Sequence, residues 1–314
     1  VRTFIDFDEA PIFAIPRTDG TWCIGVLVEG PQGWGEFSPP TDAGLDLAAR
    51  WLTAAVEPGT VGWPDPVRGR IPVAVSVPAV APEAAHALVV ASGCAAADVA
   101  VAADPESLAV DLARVEAVRA AVGSAGAVRC EVRGLGDPDV VTAAIKVLDR
   151  VAGGVEFVVL DAPVEEVARV RARVDVRIAV PVSEGSADLA DAADVLVLAT
   201  GPLGGVRRAL RVAERQGIPA VVASAGETTI GLSSGLALAG VLPELPFACS
   251  LGAVSRLTDD IVPRSRSLIP VDGHLPVAPM PPAPDADLLR RFAVSDAATV
   301  RHWRDLVAAA LSRL

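Results

Sequence analysis

The chain has 314 residues, 52% hydrophobic and 21% charged, a balance that excludes a disordered polymer and provides for a sizeable core. Its net charge of −12, from 27 basic and 39 acidic residues, excludes the basic stripe that a nucleic-acid surface needs. The acidic excess favours solubility and identifies no ligand.

Residues 1–69 predict a small α+β unit. "FIDFDEAPIFAIP" (4–16) and "TWCIGVLVEGPQGWGEFSPP" (21–40) read as antiparallel strands around a Gly-containing turn, and "LDLAARWLTAAV" (45–56) reads as a helix. The first residues are acidic and short of apolar side chains, so no signal peptide is expected.

From residue 70 a regular alternation begins. Short apolar runs at 71–77, 97–102, 127–132, 155–161, 177–183, 194–200, 219–225 and 247–251 predict strands. Helix-like segments lie between them. The segment 105–122 opens with Pro and Glu, 137–154 begins at an Asp cap and stops at glycine, and 204–217 stops the same way. Eight strands alternating with helices predict a (β/α)8-type barrel over 70–254. An open doubly wound sheet is the alternative, but no GxGxxG follows any of these strands. Residues 255–314 fall outside the repeats and are expected to complete the cap or pack on it. Within them "APMPPAPDAD" (278–287) reads as a Pro-rich connector.

Cys23, Cys94, Cys130 and Cys249 are widely spaced and form no metal-ligand pattern, so reduced thiols in a cytoplasmic protein are expected. Cys130 and Cys249 fall in strands and read as core residues. His86 and His302 fall in helical patterns and read as structural. No apolar run reaches membrane-spanning length, so no membrane contact is expected.

One strand carries an anomaly. "AADVAVAADP" (96–105) places Asp98 inside an apolar barrel strand, where near-continuous hydrophobic residues are the rule.

Several runs resemble one family. "GWGEFSPP" (33–40), "VPAVAPE" (77–83), "ASGCAAADVAVA" (91–102), "GPLGGVRRALRVAE" (201–214), "VVASAGETTIGL" (221–232) and "LPELPFACSLG" (242–252) together resemble the actinobacterial o-succinylbenzoate synthases of the enolase superfamily. The resemblance implies an α+β capping domain before a modified (β/α)8 barrel. It also implies dehydration of a cyclohexadiene carboxylate in menaquinone synthesis. In that chemistry lysines move a proton next to a carboxylate, and Mg²⁺ held by three acids steadies the enediolate.

Measured against the family pattern, the residues differ. The two lysine positions of the second strand are Asp98 and Ala100, and that of the sixth strand is Ala199. The Asp-x-Asn of the third strand is Glu131 and Arg133. The metal-binding Glu of the fourth strand falls on Val159, or on Asp161 if the alignment shifts by two. The Asp-Glu-Ser of the fifth strand is Pro181, Val182 and Ser183. The seventh-strand run keeps Ser224, Glu227 and Thr228. Lys146, the one lysine in the barrel region, falls in the middle of a predicted helix. Mg²⁺ binding is therefore predicted lost, and no cofactor is expected.

Residues two apart on a strand share a face, so Asp98, Glu131, Arg133 and, in the shifted alignment, Asp161 are expected to point into the barrel mouth. Arg133 is expected near the place of the metal, paired with Glu131 and with Asp98 or Asp161. Asp98, Glu131 and Arg133 are the candidate catalytic residues, the acids as general acid or base with the arginine tuning their pKa. Asp161, Ser183, Ser224, Glu227 and Thr228 are candidate ligand-binding residues, with a helix-capping role as the alternative for Ser183 and Thr228. Glu36 and Trp34 line the entrance or pack the cap on the barrel.

Three functions compete. The first is a repurposed, metal-independent enzyme that dehydrates, isomerises or cyclises a small organic molecule in the barrel mouth. The second is a non-catalytic binding or scaffold protein. The third is an o-succinylbenzoate synthase working through unfamiliar residues.

Overall fold

The structure is a computed structural model describing residues 5–132, 134, 136–183, 186 and 188–314, the Ala253 side chain excepted. In the cap, β1 (Ile12–Pro16), β2 (Trp22–Gly30) and β3 (Gly33–Phe37) form an antiparallel sheet in that order. Helix α1 (Leu45–Thr60) packs across it, burying Ala48, Trp51, Leu52 and Ala55 against Val26, Val28 and Phe37. Those four helical residues recur at three-to-four spacing and form one apolar stripe. The helix approaches so closely that a Cβ on Gly35 would lie 1.8 Å from the Ala55 carbonyl oxygen.

Beyond the cap, β4 (Arg70–Pro72) pairs antiparallel with the late strand β12 (His274–Pro276). The barrel then follows. Its parallel strands β5 (Ala74–Val77), β6 (Ala96–Val101), β7 (Ala127–Val132), β8 (Val158–Leu160), β9 (Ile178–Pro181), β10 (Val195–Leu198) and β11 (Ala220–Val222) lie side by side in chain order. Helices α2 (Pro82–Ser92), α3 (Leu108–Val122), α4 (Pro138–Ala152) and α5 (Val164–Arg171) follow β5 to β8, α6 (Thr200–Leu203) and α7 (Val206–Gln216) follow β10, and α8 (Thr229–Val241) follows β11.

The eighth predicted strand, 247–251, forms only single parallel bridges, Val73 with Cys249 and Ala223 with Ser250. It still closes the ring. The Cys249 N–H donates to Pro72 O at 2.7 Å on one side, and the Ser250 N–H donates to Val222 O at 2.9 Å on the other. Helix α3 begins three residues later than the 105–122 pattern predicts, because the Asp104 carboxylate takes the N–H groups of Glu106 and Ser107 in a turn.

Alternation divides each strand. Val99, Val101, Val128, Cys130, Val132, Val158 and Leu160 face outward into the core beneath the helices. Phe157, Ala179, Val195, Val221 and Phe247 fill the lumen instead. The last helices, α9 (Ala286–Arg291) and α10 (Ala297–Leu311), follow the barrel. Trp303 of α10 is buried in the cap core, edge-on to Phe37 at 6.0 Å between ring centres. Among the described residues no helix is long and apolar enough to cross a membrane.

Candidate functional site

Strand register places the charged residues of the lumen. Asp98 stands opposite Ser76 on one neighbouring strand and Arg129 on the other, while Ala100 stands opposite Glu131. Arg129 and Glu131 share the inward face of β7, since Val128, Cys130 and Val132 occupy the outward one.

The cation beside Asp98 is Arg129, where the sequence predicts Arg133. Arg133 lies outside the described residues. Residue 129 of β7 stands directly across from Asp98. Arg129 is fully buried. Its Nη1 donates to Asp98 Oδ1 at 3.3 Å and to Ala248 O at 2.7 Å, and its Nε donates to Glu156 Oε2 at 2.6 Å. The guanidinium lies over the Phe157 ring, 4.6 Å from its centre. Burial raises the pKa of the Asp98 carboxyl, and Arg129 and the Ser250 hydroxyl oppose that rise.

Above this layer, a cavity of about 400 Å³ opens at the C-terminal ends of the strands. Ser76, Asp98, Glu131, Ser224 and Ser250 line its barrel side. The turn between β1 and β2 overhangs it with Arg17, Asp19 and Thr21. That turn is tied down: Arg17 Nη2 donates to Gly226 O at 2.8 Å, and Arg256, also in the cavity wall, donates to Asp19 at 2.9 Å. The Thr21 hydroxyl and N–H hold the Asp19 pKa down to about 2, with Arg256 assisting.

The remaining predicted site residues divide. Ser224 reaches the cavity. Glu227 turns away from it and accepts from the Ser224 hydroxyl at 2.6 Å and the Ala225 N–H at 2.9 Å. Thr228 is fully buried; it caps α8 and donates its hydroxyl to Glu36 of the cap. Ser183 is exposed and bonds with Ser186. Asp161 is exposed and does not border the cavity. The cavity thus brings together Asp98, Glu131 and Ser224.

Sequence reasoning overlooked Arg129, Glu156 and Glu57. Arg129 carries a usable signal, because it alternates with Glu131 along one strand. Glu57 carries none: its carboxylate leaves α1 to accept the N–H groups of Val206 and Arg207 at the start of α7.

Cap, barrel and mouth cavity define an α/β barrel architecture with a capping domain, and comparison with known proteins gives the class. The chain matches the enolase C-terminal domain-like family over residues 80–284 and the enolase N-terminal domain-like family over residues 24–59. It belongs to the enolase superfamily. It is 49% identical over 260 residues to the o-succinylbenzoate synthase of Thermobifida fusca, covering 81% of each chain. It is 40% identical over 270 residues to that of Mycolicibacterium smegmatis, covering 82% of this chain and 81% of the relative. The fold matches muconate lactonizing enzyme from Pseudomonas putida with a TM-score of 0.71 at 19% identity, over 93% of this chain and 99% of that one. It also matches the L-Ala-D/L-Glu epimerase of Bacillus subtilis with a TM-score of 0.70 at 18% identity, over 89% and 97%.

The superfamily implies a divalent cation held by oxygen ligands. The family's ligand positions fall on Glu131 of β7, on Val159 of β8 or Asp161 just after it, and on Pro181 of β9. Val159 and Pro181 have no side-chain oxygen, Asp161 does not border the cavity, and Asp98 is engaged by Arg129. Among the described residues no three His, Cys, Asp or Glu side chains gather to hold a metal ion.

Proposed function

We propose that the barrel mouth is the site of metal-independent acid–base chemistry on a small organic molecule, in an o-succinylbenzoate synthase-like member of the superfamily that has been repurposed. One observation carries the reading. Two carboxyl groups, Asp98 and Glu131, border a cavity of about 400 Å³ at the strand ends, with a buried arginine holding Asp98 from below. A cavity of that size suits a small ligand. Positioned acids and hydroxyls can dehydrate, isomerise or cyclise such a ligand without a metal.

A second reading draws on the 49% identity to the Thermobifida fusca relative. It makes the chain an o-succinylbenzoate synthase that works through unfamiliar groups. One assay separates the two: turnover of the family's cyclohexadiene carboxylate, and of a panel of related small acids, with and without EDTA. Turnover of a panel compound that is unaffected by EDTA, lost in both Asp98→Asn and Glu131→Gln, supports repurposing. Mg²⁺-dependent turnover of the family substrate would replace it with the second reading. No turnover of any compound at high enzyme concentration leaves a binding protein.

A further inference from the structure

A second cavity, of about 10 Å³, lies between the cap and the barrel. It has room for roughly one water molecule. Glu36 of β3 and Glu227, which follows β11, both border it. The two come close: a Cβ on Gly231 would lie 2.6 Å from Glu227 Cβ and 3.0 Å from Glu36 Oε2. The indole nitrogens of Trp51 and Trp63, whose side chains border the same cavity, are buried and find no hydrogen-bond acceptor among the described residues. Trp51 is 2% exposed, so its N–H is a donor waiting on an occupant.

The two carboxyls are wired differently. Glu36 takes hydrogen bonds from the Ser38 hydroxyl at 2.8 Å, the Thr228 N–H at 3.2 Å, the Gly231 N–H at 2.9 Å and the Thr228 hydroxyl. Glu227 accepts on Oε2 from the Ser224 hydroxyl at 2.6 Å and the Ala225 N–H. Ser224 also borders the barrel mouth. The Ser224 hydroxyl therefore stands between the large cavity and the buried carboxyl pair.

We propose that Glu36 and Glu227 hold one proton between them across the small cavity, and that Glu227 exchanges it with the barrel mouth through the Ser224 hydroxyl. When a ligand in the mouth gives up a proton, Ser224 Oγ receives it and passes its own hydroxyl proton to Glu227 Oε2. One O–H bond forms on Glu227, one is broken and remade on Ser224, and the ligand leaves with one proton fewer. The reverse sequence protonates a ligand. Glu227 is a positioning and relay residue; Ser224 is the group that meets the ligand.

The electrostatic surroundings favour retention of the proton. Burial pushes the Glu36 carboxyl up to about 7, with Glu227 adding repulsion and the hydrogen bonds from Thr228 and Ser38 opposing. The other charged or titratable groups in this neighbourhood are Cys23 on β2, Arg17 in the β1–β2 turn, and Asp260 after the barrel. Arg17 is turned to the Gly226 carbonyl, and Asp260 to Thr229 and Ser267.

The relay depends on the reading of the mouth as the ligand site, but its test needs no ligand. The full chain is titrated by infrared difference spectroscopy, following the carboxylic C=O stretch that Glu36→Gln removes. That band is expected to persist at pH 6 in the wild type. Removing one negative charge in Glu227→Gln lowers the midpoint of Glu36 by about half a pH unit or more. Ser224→Ala is expected to slow the rise of the band after a pH jump by tenfold or more, a rate that a merely structural hydrogen bond would leave unchanged. Absence of the band at pH 6, or an unchanged rate in Ser224→Ala, overturns the relay whatever the enzyme turns over. An intact titration with no turnover of any compound keeps the shared proton and removes the proposed function instead.

Discussion

Glu57 of the cap lies with Oε2 2.6 Å from the Val206 nitrogen, so a cap side chain satisfies the first N–H groups of a barrel helix. Its other oxygen accepts from the Arg207 N–H at 3.1 Å. Free N–H groups and the helix dipole make such a terminus attractive to an anion. Glu36 plays the same part at α8, through the N–H groups of Thr228 and Gly231. Two carboxylates from one domain thus dock onto successive helices of the other.

Replacing Glu57 with Gln removes the charge and one acceptor from a buried position. A loss of ~1–3 kcal/mol is expected, read as a lower urea midpoint. Gly205→Ala is expected to destabilise as well, because its Cβ would lie 2.4 Å from Glu57 Oε2 at a φ of +106°. Wild-type midpoints in both variants would show that this contact contributes nothing.

Arg129→Met leaves Asp98 buried without its cation. Breaking a buried pair from one side costs ~3–5 kcal/mol, more than the intact pair contributes. The single variant is expected to be severely destabilised, and the double variant Arg129→Met with Asp98→Asn to recover part of the loss. Denaturant unfolding of the four members of that cycle measures the coupling.

Glu36 also predicts a pH dependence. Its folded pKa, about 7, lies above the usual 4.5 because of burial. The folded state therefore binds this proton more tightly than the unfolded chain does. The stability that follows is fully present below about pH 4.5 and is lost as pH rises through about 7. Glu36→Gln is expected to flatten the unfolding free energy across that window. Asp194, whose pKa Arg171 and the Ile178 N–H lower against its own desolvation, acts in the opposite sense and only at acid pH. Urea melts at intervals between pH 4.5 and 8 test the difference.

All four cysteines are buried and free. Burial pushes the Cys130 and Cys249 thiols up to about 12. The thiolate is the reactive form, so none of the four is expected to react with a disulfide reagent faster than the protein unfolds. A fast-reacting thiol at neutral pH in the native protein would contradict this packing.

Much of the barrel was written in local patterns. "ADVAVA" and "AVRCEV" announce strands because buried β-residues must be apolar on the helix side, and β6 and β7 occupy those runs. The Asp137 cap and Gly153 stop mark α4 because a helix end needs an acceptor at one terminus and a left-handed residue at the other. The run 247–251 was legible as barrel material but not as an irregular closing segment, since that depends on how the first and last strands meet.

For the site, composition and alternation alone determined that Asp98 and Glu131 occupy barrel strands and that Ala100, Val159 and Pro181 offer no titratable group. Tertiary structure decided what surrounds them. Arg129 meets Asp98 because strand stagger sets those two residues opposite one another. Glu36 reaches Thr228, 192 positions away, because the cap docks onto the barrel. Local sequence encodes which side chains share a face. It does not encode which distant backbone a buried carboxylate will find, because that partner is chosen by packing two domains together.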